Sequence, residues 1–265
     1  MKAWVVVVFA FLMLASAAFA ISFTTRVIFV TPTPNGITVH VQNPGAEQAF
    51  GLEPGTLERT VFIHYKEAFS HNRGGNAKNP CSKLLGTKWK STPINYVIHP
   101  DLEAKDPLAI FTSSETWDSA TSKELFSDAV TFNSTANWDV AAPDGRNELS
   151  LGNHTDTGAI AVTVVWSGIP IGGKGLQIIE YDILFDTDFQ WGDVGSTDET
   201  APANTTLMDL QNIATHEIGH GAGEADIYDS SCTDVTMYGF AEEGETKKRT
   251  LAAADISGLQ KMYGA

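Results

Sequence analysis

The pattern of apolar positions changes several times along this 265-residue chain. Residues 1–20, MKAWVVVVFAFLMLASAAFA, show no alternation: Lys2 precedes an unbroken apolar run from Trp4 to Leu14, and Ala18-Phe19-Ala20 ends it with small residues. That form predicts an export signal removed after Ala20 rather than a membrane anchor. Residues 21–60 are rich in β-branched residues and broken by Pro and Gly, and Arg26 to Val30 and Ile37 to Val41 predict strands around a turn at Pro34-Asn35-Gly36. SHNRGGNAKNP, residues 70–80, has the composition of a linker. Beyond it, Ile94 to Ile98 predicts a strand between Pro93 and Pro100. Asp106-Pro107 opens a helix that carries Ile110, Trp117, Ala120 and Leu125. Val130 to Phe132 and Glu148 to Leu151 predict short strands, while Ala159 to Trp166 and Ile178 to Phe185 predict longer ones joined by a Gly-rich loop, 168–175. Two helices follow, about Leu207 to His220 and about Ala252 to Tyr263. This order predicts one layered α+β domain over residues 84–265. Residues 21–83 before it read as a β-rich extension or a short pro-segment with a linker.

Composition narrows the class. Apolar residues make up 43% and charged residues 18%, which is globular. The 32 acids outweigh 17 Lys and Arg, for a formal charge of -15, and this argues against nucleic acid or an anionic membrane as partner. No stretch after residue 20 is long enough to span a bilayer. Export to the cell surface or the extracellular space would place the two cysteines, Cys81 and Cys232, in an oxidising compartment, where they are expected to form a disulfide. Three glycosylation sequons, at Asn133, Asn153 and Asn204, are compatible with export.

The chemistry concentrates in HEIGHGAGEAD, residues 216–226. His216 and His220 are four apart, so on a helix both rings reach one metal from the same face, and Glu217 beside them can take a proton from a metal-activated water. Gly221 and Gly223 suit a helix that stops and turns sharply, which lets Asp226 swing back as third ligand. Two histidines and one acid leave a fourth tetrahedral position for water, the arrangement of a catalytic zinc. Glu224 competes for the third position, and so, from a greater distance, do Glu242, Glu243 and Glu245.

These residues resemble the matrixin-like branch of the metzincins. HEIGHGAGEAD is similar to the metzincin pattern HExxHxxGxxH/D, with Asp226 as the third ligand. Asp234 to Gly239 resembles the Met-turn, built on Met237 and Tyr238; residues 182–191 resemble DAHFDxDExW; and residues 251–264 resemble the last matrixin helix. The resemblance covers about residues 90–265. It implies a twisted five-stranded mixed sheet with one antiparallel edge strand, over a zinc helix, a Met-turn and a C-terminal helix. Within that fold Ala159, Ile160, Ala161 and Val162 belong to the edge strand, where an extended protein or peptide substrate would add through main-chain hydrogen bonds. Asp186 and Asp188 match acids that help bind calcium in the family, whereas Leu184 and Val162 stand where it holds a structural zinc through histidines.

The implied function is an exported zinc endopeptidase. Two other readings stay open: a non-catalytic cell-surface binding module on the same fold, and a narrow protease acting on itself or one partner. Cys81 is also open as a thiolate latch on the zinc, although nothing near it matches PRCGxPD. The oligomeric state is not legible.

Overall fold

The computed structural model describes residues 26–33, 36–66, 81–156, 158–195 and 205–265. The signal expected at 1–20, the linker at 70–80, the turn residues Pro34 and Asn35, and Asn204 lie outside them.

The elements in chain order are strands β1 (Arg26–Thr33) and β2 (Gly36–Gln42), helix α1 (Pro44–Ala49), strands β3 (Glu58–Lys66) and β4 (Val97–Ile98), and helices α2 (Pro100–Glu103) and α3 (Ala109–Asp118). Strands β5 (Thr131–Phe132), β6 (Glu148–Gly152), β7 (Ala159–Gly168), β8 (Gln177–Asp186), β9 (Trp191–Gly192) and β10 (Met208–Asp209) follow. Helix α4 (Leu210–Ala222), strand β11 (Phe240–Ala241) and helix α5 (Ala253–Tyr263) complete the chain.

The expected five strands form the sequence β5-β4-β6-β8-β7 within one mixed sheet. Strands β4, β5, β6 and β8 run parallel, and β7 is antiparallel to β8. The sheet does not end there. It continues through β3, β2 and β1, with the β7–β3, β3–β2 and β2–β1 pairs all antiparallel. The strand containing Ala159, Ile160, Ala161 and Val162 is therefore not an edge: β3 pairs with it from Glu58↔Ser167 to Tyr65↔Ala159. The physical reason is in β7 itself. Every one of its residues is buried, and a run such as AIAVTVVW offers no polar face to water, the character of an interior strand.

Two cores result. The main one lies between the sheet and the helices α3, α4 and α5, and includes Trp117, Tyr181, Phe185, Ile213 and Met237. A smaller one lies on the other side of β7, where Val164 and Trp166 pack with Val41, Ala46, Leu52 and Leu57 of the N-terminal extension. Among the described residues, this small apolar cluster of the extension is shared with the catalytic-type sheet.

Several expected elements are shorter than their apolar patterns. The 94–98 strand contracts to Val97–Ile98, with Ile94 making an isolated bridge to Phe126. Helix α3 starts at Ala109 with Leu108 as N-cap, and Asp106 instead accepts the Leu108 N–H at 3.2 Å. The helix ends at Asp118 because that carboxylate accepts N–H bonds from Leu125 and Phe126, at 2.9 and 3.1 Å, and folds the chain back. The expected disulfide is formed between Cys81 and Cys232, whose Cα atoms are 5.5 Å apart.

Candidate metal centre

Helix α4 carries the centre through the main core. Asp209 caps it by accepting the Asn212 N–H at 2.8 Å and also holds Arg249. Gly219, inside the motif, lies where a side chain would run into Met237 and Trp117, so the helix backbone sits directly on the Met-turn. Gly223 ends the helix with φ of +106°, a left-handed conformation that favours glycine. The chain then reverses, and Ile227 and Gly239 exchange main-chain hydrogen bonds with Met237 and Ile227. That reversal brings Asp226 back onto the two histidines.

The donors converge. Asp226 Oδ1 lies 3.2 Å from His216 Nε2 and 3.5 Å from His220 Nε2. His216, Glu217 and His220 are 0% exposed and Asp226 is 2% exposed, so no solvent screens the group. The far side of each ligand is committed elsewhere. His216 Nδ1 donates to the Thr236 carbonyl at 2.8 Å, and His220 Nδ1 to the Glu224 carbonyl at 3.0 Å. These bonds fix the tautomer and aim both Nε2 lone pairs inward. Tyr228 donates its hydroxyl to Asp226 Oδ2 at 2.8 Å, which leaves Oδ1 as the inward atom. His216 Nε2, His220 Nε2 and Asp226 Oδ1 have no hydrogen-bond partner. Two lone pairs and a carboxylate oxygen buried face to face repel one another unless a cation lies between them, and the set suits zinc. Burial opposes the ionised carboxylate, but the two imidazoles hold Asp226 far below the ordinary range, and Asp226 raises His220 against the effect of burial.

Glu217 projects beside this group. Its Oε2 accepts the Thr163 hydroxyl of β7 at 2.5 Å, and its Oε1 has no hydrogen-bond partner. Burial raises its pKa, an effect that His216, His220 and Thr163 only partly offset. A carboxylate of raised basicity with one free oxygen beside a metal position is equipped to take up a proton.

The Met-turn lies where it was expected. Met237 is fully buried beneath α4, and its turn is fastened by Asp255 of α5, which accepts the Thr236 and Met237 N–H groups at 2.9 and 3.4 Å. Tyr238 packs against Phe240, with Lys248 and Lys247 over its ring. The competing ligands lie elsewhere. Glu224 is buried with neither carboxylate oxygen bonded and lies against Gly258 and Ser82. Glu242 and Glu243 pair with Lys66, and Glu245 pairs with Lys248. Asp186 uses both oxygens on backbone N–H groups, of Asp188 and His154, and Asp188 accepts from Asn153 at 3.4 Å. Among the described residues, no cluster of three candidate ligands includes either acid. Val162 and Leu184 face each other in register, and neither side chain can ligate a metal. Cys81 is held by Cys232 and is not a thiolate for the metal.

The motif did not disclose five further residues: Thr163, Tyr228, Asp255, Phe62 and His64. Thr163 interrupts the apolar run from Ala159 to Trp166 with a hydroxyl, which was a usable signal. Phe62 stacks flat on His220, with ring centroids 3.9 Å apart and planes 9° apart. The His64 ring meets His216 edge-on at 4.0 Å, and its Nδ1 lies 3.7 Å from Glu217 Oε1. In β3 the alternation of Phe62 and His64 as its two buried positions carried the signal.

A buried HExxH helix and a returning acid, over a turn built on Met237 and beside a mixed sheet, make a candidate centre of metzincin type. The Matrixin family (Peptidase_M10) matches residues 103–264, more than half of the chain, and the chain belongs to that family of zinc metalloproteases. It is similar to Metalloendoproteinase 1 of Glycine max, 40% identical over 80 residues, which cover 30% of this chain and 24% of that protein. It is also similar to Metalloendoproteinase 5-MMP of Arabidopsis thaliana, 43% identical over 60 residues, which cover 23% of this chain and 16% of that protein. The matched stretches thus span a quarter or less of these relatives' length.

Proposed function

We propose that this chain is an exported zinc-dependent endopeptidase. The observation that carries the reading is the meeting of three unpartnered atoms, His216 Nε2, His220 Nε2 and Asp226 Oδ1, beside the half-free carboxylate of Glu217. Bound zinc would supply Lewis acidity, which acidifies a water and polarises the carbonyl of a peptide bond. The residues do the rest. His216, His220 and Asp226 hold the metal; Thr236, Glu224 and Tyr228 orient them through the bonds above. Glu217 takes the water's proton on its free oxygen as the water attacks, and hands it to the leaving amine. Thr163 holds the other carboxylate oxygen, which keeps the free one aimed at the site.

An extended substrate could pair with β7 only where β3 is displaced from it, because β3 holds that side from Glu58↔Ser167 to Tyr65↔Ala159. The likeness to two proteins named metalloendoproteinases supports peptide substrates. Export is supported by the sequence of residues 1–20, and no helix among the described residues is long and apolar enough to cross a membrane. A calcium at Asp186 and Asp188 rests on the family pattern alone, and elemental analysis of the dialysed protein tests it.

The test is zinc content by elemental analysis, run with cleavage of a peptide library by the intact chain and by the chain cut within residues 67–80. One zinc per chain and chelator-sensitive cleavage by at least one form is the expected result. A folded protein without affinity for zinc overturns the assignment.

A further inference from the structure

The pairing of β3 has a consequence for access to this centre. β3 lies between two partners: it is antiparallel to β7 on one side, and parallel to β11 on the other, with Tyr65↔Phe240 and Lys66↔Ala241 in register. The Lys66 N–H bonds to the Gly158 carbonyl at 3.0 Å, and its ammonium reaches Glu243 and Glu242 at 2.6 and 3.5 Å. The main-chain groups of β7 that an extended peptide would use are already taken along this length. On the face toward α4, Phe62 and His64 are 0% and 1% exposed and lie on His220 and His216. His64 has both ring nitrogens buried and without a hydrogen-bond partner, and it forms with His216 and Glu217 a group whose ligand atoms lie within 4.8 Å of one another. An imidazole buried with neither nitrogen satisfied is costly, and here it lies against His216 and Glu217, beside the three candidate ligands.

We propose that the N-terminal extension is a built-in latch in which β3 occupies the substrate's place along β7 and His64 supplies a fourth protein ligand to the metal held by His216, His220 and Asp226. The latch rests on the peptidase reading above. It differs from a cysteine latch, since Cys81 is engaged with Cys232 and lies on the core side of the 70–80 segment. A cut within that segment therefore leaves no covalent link between residues 26–66 and residues 81–265. What holds the extension afterwards is strand pairing, the Lys66 ion pairs and the small core around Trp166.

The experiment inserts a site-specific protease sequence between Gly74 and Gly75 and compares the zinc-loaded full chain before cutting with the same protein after cutting and removal of the fragment. Cleavage of a quenched peptide library should rise by at least about tenfold, because only molecules with β3 detached are competent. Equal rates for the two forms overturn the latch. A synthetic ERTVFIHYK peptide should inhibit the fragment-free form, and the same peptide with Ala for His64 should inhibit it more weakly. Equal inhibition by the two peptides overturns the role of His64.

A metal arm is independent of turnover. In competition with a fluorescent chelator, His64→Ala in the full chain should retain zinc about tenfold less well or worse. The visible spectrum of its cobalt-substituted form should shift, and His64→Cys should restore retention and add a sulfur-to-cobalt band. Unchanged retention and an unchanged spectrum in His64→Ala overturn the fourth ligand. Should zinc-loaded protein cleave nothing in either form while the metal arm behaves as expected, the peptidase reading fails and the ligand assignment stands.

Discussion

Two regions meet at the candidate metal site and reach it in different ways. His216, Glu217, His220 and Asp226 come from one helix and the turn that follows it, and their spacing alone places them together. Phe62 and His64 come from the opposite end of the chain, on a strand whose position depends on pairing with β7 and β11. The first region gathers the candidate ligands, with their outer bonds fixed by Thr236, Glu224 and Tyr228. The second packs against His220 and His216 through Phe62 and His64. The difference teaches that a local motif can specify chemistry completely while saying nothing about access.

The largest effect expected on the helix side is chemical. Glu217→Ala should keep zinc and lower kcat/KM of the fragment-free form by about 10²–10⁴-fold, the usual worth of a general base. Elemental analysis beside steady-state kinetics checks both halves of that statement. Asp226→Ala should lose most of the zinc, because it removes a ligand rather than a proton carrier. Tyr228→Phe removes the hydroxyl bond to Asp226 Oδ2, and zinc affinity should fall about 10–100-fold in a chelator titration. If Tyr228→Phe matched Asp226→Ala in effect, the ranking of ligand over orienting group would be broken.

Stability sharpens the same contrast. Trp117 is fully buried under α4 and donates its indole N–H to the Thr215 carbonyl at 2.8 Å, so Trp117→Ala should cost about 3–5 kcal/mol in denaturant unfolding. Replacing Cys81 and Cys232 by Ser should cost about 2–4 kcal/mol, since the bridge closes a loop of sequence separation 151. Neither change touches β3, so neither should alter the ratio of cut to uncut activity.

The smallest effect concerns pH and lies away from the metal. Burial pushes Glu180 up to about 8 and, with Glu180 beside it, Asp182 up to about 9. The folded chain keeps these protons where the unfolded chain, with ordinary carboxylates near 4, has released them. Their contribution to stability is therefore complete below about pH 4 and is lost as pH rises toward 8 and 9. Urea midpoints of chelator-treated protein should fall between pH 5 and pH 8. Zinc-loaded protein gains the opposite trend on the acid side, because the imidazoles must be neutral to bind metal.

Much of the centre was legible because its geometry is local. The four-residue spacing of His216 and His220, Gly223 as a stop, and Met237 with Tyr238 follow from helix period and backbone chemistry. Five core strands were legible from apolar runs, although the run overstated the strand at Ile94, and the helical pattern overran at Leu125, where Asp118 captures backbone N–H groups. The closure of β7 was not legible. An apolar run signals burial on both faces, but does not name which strand pairs with its free side. ERTVFIHYK places Phe62 and His64 on one face by alternation, yet only the register Phe62↔Thr163 and His64↔Ala161 brings that face to His220 and His216.

The most direct test of the account is turnover of a quenched peptide library by the zinc-loaded chain, cut within residues 70–80 and freed of its N-terminal fragment, with and without chelator. Cleavage that chelator abolishes and added zinc restores is the predicted result. No cleavage by a folded, zinc-loaded protein, or cleavage indifferent to the chelator, would contradict a metal centre built for peptide hydrolysis.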